Sequence, residues 1–261
     1  MVINDSQLWI GAFLIVFNAL LTFVLQLNLA KSILWTSLRG CCQLLLLGIG
    51  LQWIFSHPSP WLVLLIAILM LLIASRTVTS RCSYRFRGMM LQNALSMGLS
   101  TLFTICIGLN FVVNADPWYT PQMIIPLMGM LIGNTLNAVG LCLDRLLNDL
   151  KKEQSLIETK LSLGANRWEA ALPTLSKSIQ TGLVPVMNLM TVVGVVSLPG
   201  TMSGLVLAGT DALSAVKFQF LIIVLIMTCS ILATTMSAMW TFYKFFNHSH
   251  QLNSSLLWKK S

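Results

Sequence analysis

The chain has 261 residues, 56% of them apolar and only 9% charged, with a mean hydropathy of +0.80. Soluble domains carry about 25% charged residues, so an ordinary water-soluble globule is excluded; at ~20 apolar residues per crossing, the apolar content suffices for roughly seven membrane spans. The net charge of +8 would suggest nucleic acid in a soluble protein; here it reads as a record of membrane orientation, and no nucleic-acid partner is expected.

Met1 to Gln7 holds Asp5 and no Lys or Arg. The positive n-region of a cleavable signal peptide is therefore missing, and the first apolar run is expected to stay as a span. Runs with few or no charges follow one another at 8–30, 33–55 (interrupted by Arg39), 61–75, 88–113, 121–143, 179–198 and 218–243. Backbone in hydrocarbon must satisfy its own hydrogen bonds, so each run is expected to be helical. The expectation is an all-α polytopic membrane protein, a single transmembrane domain over 1–261. The third run is short, but Thr77 to Ser80 are uncharged and Arg76 can snorkel, which lets that helix continue toward a basic loop. With the N-terminus outside and the C-terminus in the cytoplasm, fifteen of the sixteen Lys and Arg fall on the inner side and only Lys217 falls outside, as the positive-inside rule requires. The same rule accounts for the cluster Arg76 to Arg87, the alternative being a lipid or nucleic-acid patch.

Residues 144–178 form the one sizeable hydrophilic loop and carry six basic residues. Leu156, Ile157, Lys160 and Leu161 follow helical spacing as far as Gly164, a C-terminal stop. A second helix can start at once, because Asn166 and Glu169 have capping-box spacing. The result is helix, tight turn, helix across the cytoplasmic face, with Leu163 and Trp168 available for contact; the alternative is a plain inter-span connector. Beyond span six, Gly200 to Thr210 is apolar and Gly-rich after Pro199. It is too short to cross, so a short or re-entrant helix on the outer side is expected. From 247 onward the chain reads as a polar tail. None of the six cysteines has C-x-x-C spacing, and the three histidines share no helix face, so neither a disulfide framework nor a zinc site nor a cofactor is expected.

Span five carries Met123, Met130, Asn134 and Asn137 on one helix face, beside Gly129, Gly133 and Gly140, a small-residue surface that allows close helix approach. Span six adds Met187 and Asn188 near Pro185. Asparagine in hydrocarbon is costly without a partner or water, so these positions are candidates for a substrate path with thioether and amide ligands. The alternative is interhelical hydrogen bonding at ~0.6 kcal/mol each. Asp116 and Asp211 are outer acids that could meet an emerging cation, or be solvated loop carboxylates.

At the loop, Glu158-Thr159-Lys160-Leu161-Ser162-Leu163-Gly164-Ala165 resembles the E-A-A-x-x-x-G loop of ABC-transporter permeases, although Thr159 and Lys160 replace the two alanines and no I-x-L-P follows. Pro126-x-x-Gly129-Met130-x-x-Gly133-Asn134, Val139-Gly140-Leu141-Cys142, Ser197-Leu198-Pro199-Gly200-x-Met202-Ser203-Gly204-Leu205 and Ala208-Gly209-x-Asp211 together resemble the FetB-type family of iron-export permeases. The resemblance implies a multi-pass permease of the bacterial inner membrane that exports iron with a separate cytoplasmic ABC ATPase. In such permeases a coupling helix docks on that ATPase, which here implies Glu158, Leu161, Leu163, Gly164, Ala165 and Trp168. No G-x-x-x-x-G-K-[ST] loop occurs in the chain, so ATP hydrolysis is expected in the partner and not here. One coupling loop per chain, against the two ATPase subunits of such transporters, implies a permease homodimer. Three alternatives stand beside this reading. An exporter of a nucleotide-sugar or other organic anion would call for basic residues in the path, where Arg39 is the candidate. A gradient-driven transporter would call for an intramembrane acid or His relay. An intramembrane enzyme would call for convergent acid, base or metal groups.

Overall fold

A computed structural model describes residues 5–27, 29–57, 59–108, 120–246 and 258–259. Its elements are helices α1 (Asp5–Val24), α2 (Ala30–Ser56) and α3 (Pro60–Arg81), strand β1 (Tyr84–Arg85), helices α4 (Met89–Ile107), α5 (Pro121–Lys152), α6 (Gln154–Ser162), α7 (Arg167–Val192), α8 (Gly200–Leu207) and α9 (Ala212–Phe245), and strand β2 (Trp258–Lys259). The all-α membrane class holds. Among the described residues five helices, α2, α3, α4, α5 and α9, are long and apolar enough to cross a bilayer, two fewer than the runs read from the sequence. The apolar part of α1 is shorter, Trp9–Val24. In span six the helix stops at Val192, which leaves 179–192 as its apolar part, less than the ~20 residues of a full crossing.

The chain divides into two compact units, Met1–Pro58 and Ser59–Ser261. In the first, α1 and α2 pack on each other across a turn in which Gln26 takes a positive φ of 53°.

In the second unit α5 is the hub. It packs against α3, α4, α7 and α9, and its Leu131, Val139, Leu143 and Leu147 are fully buried. Each helix begins where its local chemistry dictates. Pro60 and Pro121 stand in the first turns of α3 and α5, where a missing N–H costs nothing. Asp211 caps α9 by accepting from the Ser214 backbone N–H at 3.1 Å. As the uncharged residues after Arg76 led one to expect, α3 runs on to Arg81.

Among the glycines the closest approach is at Gly182, between α5 and α7, where an added Cβ would stand 2.6 Å from the Ala138 carbonyl oxygen and 2.7 Å from the Cys142 Cβ. The glycines of span five behave otherwise. A Cβ at Gly133 or Gly140 meets nothing within 4 Å, and one at Gly129 meets only the Met70 side chain at 3.6 Å. Close approach is thus provided by the α7 glycine against α5, not by the α5 glycines.

Between α4 and α9 the interface is polar. Ser237 Oγ donates to Asn93 Oδ1 (3.1 Å) and Asn93 Nδ2 to Thr79 Oγ1 of α3 (3.4 Å). Gln92 Nε2 donates to Thr241 Oγ1 (2.8 Å) and to the Ser237 carbonyl (3.0 Å). Thr135 of α5 donates to Cys229 Sγ (3.3 Å).

Candidate functional site

The loop between α5 and α7 departs from the sequence expectation in one respect. α5 continues past its apolar part to Lys152, and α7 starts at Arg167 and runs unbroken into span six. The second loop helix is therefore the base of α7 rather than a separate helix across the cytoplasmic face. The capping box of Asn166 and Glu169 forms as expected: Glu169 N–H donates to Asn166 Oδ1 (2.9 Å) and Asn166 N–H to Glu169 Oε2 (3.0 Å). Once started, no residue stops the helix before Val193, because Pro173 and Pro185 are accommodated within it.

The free piece is α6, nine residues long. Its end is a Schellman turn: Gly164 N–H donates to the Leu161 carbonyl (3.1 Å) and Ala165 N–H to that of Lys160 (3.1 Å). Gly164 sits at φ +95°, a left-handed conformation that costs an L-residue ~1–2 kcal/mol. Ile157, buried, pins α6 to the core, with Leu161 partly buried beside it. Thr174 Oγ1 donates to Glu153 Oε2 (2.7 Å), tying the α5–α6 junction to α7. The opposite side of α6 is open. Leu163 is 83% exposed, Glu158 is exposed and accepts from Gln154 Nε2 (2.8 Å), and Leu156 is exposed as well. Of the expected docking residues, Glu158, Leu163 and Gly164 face outward, Ala165 is half-buried and Leu161 faces the core. Trp168 is partly committed elsewhere, edge-on to Phe242 of α9 at 5.5 Å.

The α6 end also gathers positive charge. Lys244 Nζ donates to the Arg87 carbonyl and lies 4.9 Å from the centre of the buried Phe86 ring. β2 pairs antiparallel with β1, Tyr84 opposite Lys259 and Arg85 opposite Trp258. Two residues of the expected tail are therefore held at this end of the unit; 247–257, 260 and 261 lie outside the described residues.

The open face of α5 carries two cavities. One, of about 300 Å³, lies toward α8 and is lined by Met123, Pro126 and Met130 of α5, Thr201 and Gly204 of α8, and Phe218 and Ile222 of α9. Thr201 Oγ1 donates to Gln219 Oε1 at the α8–α9 contact. The other, of about 370 Å³, lies toward the α6 end and is lined by Arg81, Asn137, Gly140, Leu141, Asp144 and Pro185. Arg81 Nη1 donates to Asn137 Oδ1 (2.9 Å), and Asp144 Oδ1 accepts from the Ser83 backbone N–H (2.7 Å). Just beside them, Cys82 is buried and donates weakly to the Val78 carbonyl (3.4 Å). Burial, with the Asp144 charge adding to it and Arg85 opposing, pushes its thiol up to about 12.

The span-five stripe thus divides between the cavities. Met123 and Met130 line the first and Asn137 the second, while Asn134 between them donates to the Met130 carbonyl of its own helix (2.8 Å). Met187 and Asn188 are exposed on the last turns of α7. Asp211 is the α9 cap, and Asp116 lies outside the described residues. Among the described residues no three His, Cys, Asp or Glu side chains converge. Asp144 continues the α5 stripe one heptad beyond Asn137, a position the hydropathy of the span does not bring out, whereas Arg81, at the end of α3, joins the α5 face only through the fold. The polar rows of α4 and α9 are legible only as Asn, Ser and Thr recurring at 93, 96, 100, 104 and 230, 234, 237, 241, a spacing that overall hydropathy conceals.

Residues 6–246 match the family described as "Uncharacterised protein family (UPF0014)". The chain is 37% identical over 226 residues, 87% of each chain, to UPF0014 membrane protein slr1647 of Synechocystis sp.. It is 32% identical over 258 residues, 99% of this chain and 98% of the relative, to "Probable iron export permease protein FetB" of Escherichia coli. It is 29% identical over 236 residues, 90% and 81% of the two, to UPF0014 membrane protein STAR2 of Oryza sativa subsp. japonica. No solved structure matches.

Proposed function

The chain belongs to the UPF0014 family of membrane proteins, and from that membership we propose that it is the permease subunit of an ATP-binding-cassette transporter exporting iron across the bacterial inner membrane. The single observation that carries this reading is α6: a short helix with an exposed leucine at its tip, set between two long helices that enter the bundle without a break. A cytoplasmic ATPase with a complementary groove takes up Leu163 and Glu158. Movement of α6 passes into the bundle because Ile157 and the Glu153–Thr174 hydrogen bond leave it no slack, and because α7 lies backbone to backbone on α5 at Gly182. The name of the Escherichia coli relative supports iron as cargo. Two copies of the chain stand on two ATPase subunits, one α6 to each.

In this reading the basic end of the bundle, with Arg85, Lys151 and Lys244, faces the cytoplasm, in accord with the positive-inside rule. A tag after Ser261 is then reachable only from inside. The two cavities on α5 serve as cargo positions at opposite ends of one face, with Met123 and Met130 toward the outside and Asn137 toward the cytoplasm. A second reading, export of an organic anion such as a nucleotide-sugar, draws on Arg81, a guanidinium in the inner cavity. Reconstitution with the ATPase in liposomes separates the two. Iron export is expected to appear as ATP hydrolysis stimulated by ferrous ion, with ATP-dependent movement of iron across the bilayer. Stimulation by a nucleotide-sugar alone would replace it with the second reading.

A further inference from the structure

Inside the α4–α9 interface, two hydroxyls stand apart from all their neighbours. Ser100 and Thr104 of α4 each return their proton to the carbonyl four residues back, and Thr228 and Thr241 of α9 do the same. This is the ordinary way a hydroxyl is satisfied in an apolar helix. Ser230 and Thr234 do not. Both are fully buried, and their oxygens meet no hydrogen-bonding group among the described residues. A buried hydroxyl without a partner costs ~1–3 kcal/mol, so two of them one helical turn apart call for something that satisfies both.

The register of the interface says what faces them. α4 and α9 run antiparallel, as the bonds of Asn93 to Ser237, Gln92 to Thr241 and Thr101 to Cys229 fix. Continuing that register puts Thr234 level with Ser96 and Ser230 level with Ser100, with Thr104 one turn further along; all are buried. Those hydroxyls have spent their protons on their own helix and keep oxygen lone pairs to offer. Donors on one wall and acceptors on the other are suited to water, which needs two to four polar partners; the Met236 sulfur, 3.7 Å from Ser100 Oγ, is the larger group at this level.

We propose that the α4–α9 seam is hydrated, with Ser230 and Thr234 binding water, and that this row of oxygens is the polar stretch by which a hydrated cation crosses the interior of the bilayer between the cavities of the α5 face. The second half rests on the transport reading above; the first does not. Hydroxyl oxygens are hard ligands that can exchange with the hydration shell of a divalent cation, which thioethers at Met123 and Met130 do poorly.

Ser230→Cys and Thr234→Cys, placed singly in the full chain in native membranes, test hydration by reaction with a small water-soluble methanethiosulfonate, read residue by residue by mass spectrometry. Ile223→Cys, at a fully buried apolar position of the same helix, is the dry control. Labelling at 230 and 234 is expected to be about tenfold faster than at 223, with and without the ATPase and ATP. In liposomes carrying the ATPase, Ser230→Ala with Thr234→Val is expected to lose most iron efflux, while Ser230→Thr with Thr234→Ser, which keeps both hydroxyls, retains it. Labelling no faster than at 223 in every condition overturns the proposal. So does normal efflux by the hydroxyl-free pair. If the parent chain moves no iron at all, the transport reading fails, and the labelling rates still decide hydration.

Discussion

Gly182→Ala is the sharpest test of the packing that joins α7 to α5. In a helix the change from Gly to Ala is ordinarily favourable by ~1 kcal/mol, so the sign of the outcome depends on the neighbours. Here the new methyl would stand 2.6 Å from the Ala138 carbonyl oxygen and 2.7 Å from the Cys142 Cβ. Neither atom can rotate away, since one belongs to the backbone and the other is attached directly to it. The helices must part, losing contact along their shared face, at the upper end of overpacking costs, ~2–3 kcal/mol. Subtracting the propensity gain leaves a net destabilisation of ~1–2 kcal/mol. In a chain of this size that lowers the melting temperature by roughly 2–8 °C. Gly133→Ala is the matched control: its Cβ meets nothing within 4 Å, so it should melt with the parent or slightly above. Thermal unfolding of both variants in detergent, followed by tryptophan fluorescence, checks the difference. If Gly182→Ala melts at or above the temperature of Gly133→Ala, the close contact of α5 and α7 is refuted.

Gly164→Val, which forces a β-branched residue to φ +95°, is expected to abolish co-purification with the ATPase while membrane insertion is unchanged; full recovery of the complex would remove α6 as the docking element. Asn137→Leu deprives Arg81 of its acceptor in the inner cavity, and iron efflux and iron-stimulated ATP hydrolysis should fall together in an assembled complex. Met130→Leu, which keeps the volume and loses only the sulfur, should have the milder effect, and normal efflux by Asn137→Leu would count against the α5 face. Cys82 gives a pH dependence: a thiol that ionises near 9.0 when unfolded and near 12 when folded contributes stability that is complete below pH 9 and is lost as pH rises toward 12. Unfolding measured across that range should show a steeper loss in the parent than in Cys82→Ala, and equal slopes would contradict the buried placement of the thiol.

The amino-acid sequence by itself determines the features set by groups one or two turns apart. The apolar runs yield membrane helices because backbone in hydrocarbon has no other way to pair its polar groups. The capping box at Asn166, the turn at Gly164 and the extension of α3 to Arg81 all form as their residues dictate. Tertiary structure alone decides which surface of each helix is used. Along α3 and α9 apolar residues occur all round, so periodicity carries little information about which side packs, and partner helices make the choice. That is why the close approach falls to Gly182 rather than to the glycines of span five, and why α7 is one continuous helix where a loop helix and a span had been expected. It is also why Arg81 of α3 comes to share a cavity with Asn137 and Asp144 of α5. The row from Ser230 to Thr241 becomes distinctive only when α4 lies against it, since a serine in a hydrophobic run is ordinary until its oxygen is buried and unpartnered.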